Sequence, residues 1–263
     1  MDKRPVGVLD SGLGGASTLI EVLKALPREN YIYYSDCGNG PYGSRSTQEI
    51  QALAQNCGRV MLSRDVKALL VACNTATSSA LHLLRQALPM PVVGIEPAIC
   101  RAEAKLPAGH ILAMATEATV RQERYRALRG ELKEPARVHD VPCPKAFVER
   151  IELGIFDMDG YDDLLLTVLR PYEGLDVRGI VLGCTHYPFI QKQIARYARA
   201  HFQGAPRFFD GSKLAAQRLK ASLRRHGLFN GDGNGGVSFF TSGRPEKTEP
   251  LFRFLLQQKL ELE

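Results

Sequence analysis

No CxxC pair, no apolar run of 18 residues, no tandem repeat and no low-complexity stretch occurs in this sequence of 263 residues. Each absence narrows the reading. The six cysteines, at 37, 57, 73, 100, 143 and 184, lack the paired spacing of a disulfide or zinc framework, so reduced thiols in a cytoplasmic setting are expected. Without a long apolar run no helical membrane span is expected. MDKRPVGVLD enters a predicted strand at once, with no apolar leader segment ahead of it. A chain of this length can bury most of its apolar surface without metal or disulfide staples, as one large domain or two ordinary ones. The net charge is +6, but acids interleave with the bases, as in RQERYRALRGELKEPARVH (121–139). Solvated helix faces account for that pattern better than a nucleic-acid stripe, and no nucleic-acid partner is expected.

Short apolar runs alternate with helical patterns. VGVLD (6–10), NYIYYSD (30–36), VKALLVAC (66–73), PVVGI (91–95), HILAMAT (110–116), ARVHDVP (136–142), RGIVLGC (178–184) and PRFFD (206–210) read as buried strands. Helices are predicted over 16–26, 47–63, 77–88 and 188–202. Strand alternating with helix predicts an α/β fold with largely parallel sheets. GDGNGG (231–236) feeding VSFFTSG reads as the one non-parallel exception. In such sheets ligands bind beyond the carboxyl ends of the strands. Those ends carry Asp10 and Ser11; Asp36, with Tyr42 and Gly43 just beyond; Cys73, Asn74 and Thr75; Thr116 and Thr119; Cys143; and Cys184, Thr185 and His186.

GLGG (12–15) follows the first strand, yet Ser17 breaks the G-x-G-x-x-G pattern and no Gly-Lys-Ser/Thr follows. What remains is a backbone cradle at a helix N-terminus, suited to a small anion such as a carboxylate. ALLVACNTA and GIVLGCTHY share a layout of apolar run, small residue, cysteine, polar pair and helix, with the cysteines 111 residues apart. A helix N-terminus is expected to lower the pKa of such a thiol. Two thiols on opposite faces of a carbon atom could each remove or deliver a proton and invert a stereocentre without a cofactor. Cys57 and Cys100, inside helical patterns, read as buried filler, with Cys37 and Cys143 in between. Cys184 and His186 are too close to form a zinc pair, and no metal is expected. An acyl-transfer enzyme with Cys73 as nucleophile and His186 as base, or a plain binding protein, are the readings from other classes.

VLDSGLGG, SDCGNGPYGSRS, ACNTA, GIEPAI and LGCTHYP, in this order, resemble glutamate racemase, a cofactor-independent enzyme supplying D-glutamate for bacterial peptidoglycan. The resemblance implies that Cys73 takes the α-proton from D-glutamate and Cys184 from L-glutamate, with Asp10, Asp36, Glu152 and His186 supporting the thiols. It implies substrate contacts at Asp10, Ser11, Tyr42, Gly43, Asn74, Thr75, Thr116, Thr119, Thr185 and His186. It further implies two pseudo-twofold-related α/β domains, 1–97 plus 208–263 and 98–207, with the site in the cleft between them, and a homodimer. Glu96 in GIEP is expected at the domain junction, outside the chemistry. Glu117 in ATEATV and the Gly-Asn of DCGNGPYG depart from the family pattern, which leaves open a related α-carboxylate such as aspartate.

Overall fold

The computed structural model of the protein describes residues 1–258 and Leu260. Among the described residues nine strands form two sheets: β1 (Val6–Asp10), β2 (Tyr31–Ser35), β3 (Ala68–Val71), β4 (Val92–Gly94) and β9 (Val237–Thr241) in one, β5 (His110–Thr116), β6 (Val138–Cys143), β7 (Val177–Leu182) and β8 (Arg207–Phe209) in the other. The strand orders are β4-β3-β1-β2-β9 and β6-β5-β7-β8. Every pairing is parallel. Helices cover both faces, and for that reason the strands read as unbroken apolar runs. In the first sheet Val6, Val8, Ala68 and Leu70 join one core, while Leu9, Leu69 and Val71 join another on the opposite face.

The tail strand corrects one expectation. β9 runs parallel to β2, with Tyr31 opposite Val237 and Ser35 opposite Thr241. The Gly- and Asn-rich turn follows the helix Ser212–Arg225 rather than a strand, so it joins helix to strand. A helix brings the chain back to the starting edge of the sheet, which is the kind of crossover a parallel pairing requires.

Helix α1 (Ala16–Ala25) follows the glycine turn, and α2 (Thr47–Ser63) begins at a capping box between Ser46 and Glu49. Helix α3 (Asn74–Ala87) starts three residues before the predicted point because Cys73 itself is the cap. After Cys184 the chain makes a 3-10 turn over Tyr187–Ile190 before the α-helix Gln191–His201 begins. Cys184 therefore does not open an α-helix directly; Pro188, lacking an N–H, occupies the tighter turn.

The chain passes between the sheets twice, after β4 and after β8. These crossings touch backbone to backbone: a Cβ on Gly211 would lie 2.2 Å from the Glu96 carbonyl oxygen. A division at 207/208 falls inside β8, which pairs with β7 in the second sheet. Glu96 is buried to 14 % side-chain exposure and bridges Arg124 and Arg218 across the junction. Arg85, Arg124, Arg218 and Arg225 line one cavity of about 460 Å³ there, so basic residues far apart along the chain converge in space. Among the described residues no helix is long and apolar enough to cross a membrane.

Candidate active site

The carboxyl ends of the two sheets face each other. A cleft between them is lined by Ser11, Tyr42, Gly43, Cys73, Asn74 and Thr75 from the first, and by Thr116, Cys184, Thr185 and His186 from the second, all expected from the sequence. It encloses about 430 Å³ between atoms but leaves only about 20 Å³ for the centre of a water molecule, so it is nearly shut. Both sulfurs lie in it, Cys73 at 5 % and Cys184 at 7 % exposure.

The two thiols have different partners. Cys73 Sγ lies 3.3 Å from Ser11 Oγ and accepts from the Ala76 N–H at 3.4 Å. Cys184 Sγ lies 3.7 Å from His186 Nδ1, and His186 Nε2 lies 2.9 Å from Glu152 Oε1. His186 thus serves Cys184 and not Cys73, which removes the Cys73–His186 nucleophile–base pair considered from the sequence.

The glycine turn holds an anion, and the anion belongs to the protein. Leu13 N–H donates to Glu152 Oε1 at 2.9 Å, and Gly14 N lies 3.2 Å from His186 Nε2. A Cβ on Gly12 would meet Glu152 Oε1 at 2.0 Å and one on Gly14 would meet His186 Nδ1 at 2.3 Å. Glycine is required here by this close approach and not by a left-handed φ. Gly12 N–H also donates to Asp10 Oδ2 at 3.1 Å, and Thr185 Oγ1 donates to Asp10 Oδ1 at 3.4 Å.

The charge states follow from burial and partners. Burial alone would lower the His186 imidazole, but its contacts with Cys184 and Glu152 outweigh that and hold it well above its usual range. Burial works against the Glu152 carboxylate too, yet the His186 hydrogen bond and charge and the Leu13 N–H keep its pKa low. A raised imidazole and a low carboxylate make the His186–Glu152 contact an ion pair, with the Nδ1 side of the ring facing Cys184 Sγ. Burial raises Asp10 despite His186 and the amides of Gly15 and Gly12. Cys73 corrects an expectation: burial pushes its thiol up to about 12, the Asp10 charge adds to this, and Ser11 and the α3 amide do not offset it. The helix-end effect loses because the sulfur is dry and faces a carboxylate.

This chain matches the family model described as Asp/Glu/Hydantoin racemase over residues 10–219. The chain belongs to this racemase family. It is an isomerase. A glutamate racemase of Clostridium acetobutylicum is 39 % identical over 254 residues, 96 % of this chain and 97 % of the relative. The crystal structure of glutamate racemase from Francisella tularensis in complex with D-glutamate superposes with a TM-score of 0.83 at 28 % identity, covering 100 % of this chain and 97 % of that one. Glutamate racemase from Escherichia coli, in complex with L-glutamate and activator UDP-MurNAc-ala, gives a TM-score of 0.80 at 26 % identity, with coverage of 96 % and 95 %.

Four predicted residues of the racemase stand back from the cleft. Asp10 is fully buried beneath it, its carboxylate held by Gly12 N–H and Thr185 Oγ1. Asp36 is buried behind Tyr42, whose hydroxyl donates to Asp36 Oδ2, while Asn39 Nδ2 donates to Oδ1 at 3.0 Å. Glu152 lies behind His186. Thr119 is outside the cleft lining but completes a triangle of hydroxyls that ties α3 to the second sheet: Thr75–Thr116 2.9 Å, Thr75–Thr119 3.1 Å and Thr116–Thr119 2.9 Å. Cys143, left open from the sequence, lines the cleft. Pro41, Lys145 and Val148 also line it and were missed; the signal available for the last two was their position just past the Cys143 strand end. The Asn74 Oδ1 atom is buried without a hydrogen-bond partner, an acceptor at the cleft wall that a cationic donor would satisfy.

Proposed function

We propose that this racemase interconverts L- and D-glutamate without a cofactor, with Cys73 and Cys184 as opposed bases. The observation that carries the reading is the placement of the two sulfurs in one nearly closed cleft, each on a different sheet and each with its own polar support. The relatives characterised with D-glutamate and with L-glutamate support the choice of substrate. The domains are taken to be 1–97 with the segment after Phe209, and 98–209, following the sheets.

The α-carbon sits between the sulfurs. Cys73 removes the α-proton from D-glutamate while Cys184 delivers one to the other face, and the roles reverse for L-glutamate. Two-base racemisation requires one sulfur as thiolate and the other as thiol, the two exchanging roles in each turnover. The substrate ammonium, near Asp10 and the unpaired Asn74 Oδ1, brings the positive charge that the dry Cys73 site lacks. Its α-carboxylate takes donors from Asn74 Nδ2, Thr75 and Thr185, which stabilise the charge that develops on proton loss. His186 directs Nδ1–H at Cys184, Glu152 fixes the ring, and Asp36 positions the Tyr42–Gly43 segment. Near exclusion of water protects the carbanion. D-glutamate formed in this way is a precursor of peptidoglycan.

Incubation with each enantiomer of glutamate and of aspartate, followed by optical rotation, tests the reading. Racemisation of glutamate in both directions is expected; activity confined to aspartate, or none on any of the four, would remove it.

A further inference from the structure

The cleft is lined by two cationic side chains, His186 and Lys145. His186 is engaged by Glu152 and Cys184. Lys145 immediately precedes the helix Ala146–Glu152 and lines the cleft together with Cys143 and Val148. Its ammonium pairs with Glu149 at 2.8 Å, and both side chains are largely exposed, at 58 % and 43 %. A pair so exposed is weak and screened, and its cation can exchange one carboxylate for another at little cost.

The racemisation scheme uses one end of the cleft. With the α-carbon between the sulfurs and the α-carboxylate near Asn74, Thr75 and Thr185, the substrate side chain faces the remaining lining. That lining is Pro41, Tyr42, Gly43, Thr116, Cys143, Lys145 and Val148. Lys145 carries the one charge among them. We propose that Lys145 is a specificity-determining residue whose ammonium leaves Glu149 for the side-chain carboxylate of the substrate, selecting an acidic amino acid over a neutral one. Glu149 holds the lysine at the rim until a second carboxylate arrives. The proposal rests on the glutamate reading above and adds to it the group that recognises the far end of the substrate.

The test measures kcat and KM for D-glutamate at low and high salt for the wild type, Lys145→Met, Lys145→Arg and Glu149→Gln. Lys145→Met is expected to raise KM about tenfold with kcat within about twofold, as the loss of one charge contact in binding would do. Its KM should also lose most of the salt dependence seen in the wild type. Lys145→Arg should restore KM to within about threefold, and Glu149→Gln, which frees the lysine, should lower it about twofold. The exposure of Lys145 makes a folding defect an unsuitable explanation, and an unchanged melting temperature checks this. A Lys145→Met enzyme with wild-type KM and salt dependence overturns the proposal while leaving the racemase reading intact, as does one that loses kcat and keeps KM. A wild type silent on glutamate overturns both.

Discussion

Replacing Gly14 by alanine asks whether the glycine turn is the seat of His186. The new Cβ would lie 2.3 Å from His186 Nδ1, 2.6 Å from Cε1 and 2.7 Å from Cγ, against an ordinary contact of 3.4 Å or more. The gap must open by about 1 Å. The ring cannot yield easily, because it is buried to 3 % side-chain exposure and tied to Glu152 at 2.9 Å. Any movement away from Gly14 also disturbs the 3.7 Å contact with Cys184. Overpacking of this kind costs about 1–3 kcal/mol, which at about 2–4 °C per kcal/mol for a chain near this size lowers Tm by about 2–12 °C. Displacing a group that supports a reacting thiol by about 1 Å costs about 100-fold in kcat. Gly130→Ala is the control, since a Cβ there meets nothing within 4 Å. Circular dichroism gives both the racemisation rate and the melting curve. Gly14→Ala with wild-type kcat and a Tm matching Gly130→Ala would refute the account of the turn as a seat for His186.

Three further perturbations follow from the same geometry. Thr116→Val removes one hydroxyl of the triangle and the cap that accepts the Thr119 N–H; KM should rise several-fold and stability fall by about 1–2 kcal/mol, read from substrate saturation curves and denaturant melts. Burial pushes Cys37, Cys57, Cys73 and Cys143 each up to about 12. Unfolded thiols lose their protons first, so this stability is present below about pH 8.5 and is lost as pH rises toward 12; Tm should drop between pH 8.5 and 11, less steeply in Cys57→Ala, and a flat profile would contradict the burial argument. Glu96→Gln leaves Arg124 and Arg218 facing Arg85 without a carboxylate; a loss of about 1 kcal/mol is expected, and the gap to wild type should narrow in high salt.

Much of the site was legible because parallel α/β sheets bring polar strand ends to one edge. Asp10, Cys73, Thr116 and Cys184 could each be placed by reading where an apolar run stopped. The role of GLGG as an anion cradle was legible as well, but its anion was not: Glu152 lies 139 residues from Leu13 in sequence, and nothing local marks that meeting. The state of Cys73 was misjudged for a related reason. A helix start is visible in the sequence, whereas the degree of drying around the sulfur and the approach of Asp10 are products of packing. The parallel pairing of β9 depended on what preceded the turn, a helix, more than on the turn residues themselves. The gathering of Arg85, Arg124, Arg218 and Arg225 at the junction is invisible along the chain because they come from three separate segments that only packing brings together.

The central claim is that two thiols share one substrate carbon, and the direct test is proton exchange in D2O. Wild type, Cys73→Ala and Cys184→Ala are each incubated with D- and L-glutamate, and the α-carbon is followed by NMR alongside optical rotation. The account predicts that wild type forms the opposite enantiomer carrying solvent deuterium from either starting point, and that each variant racemises neither. Full racemisation by either single-cysteine variant would contradict it.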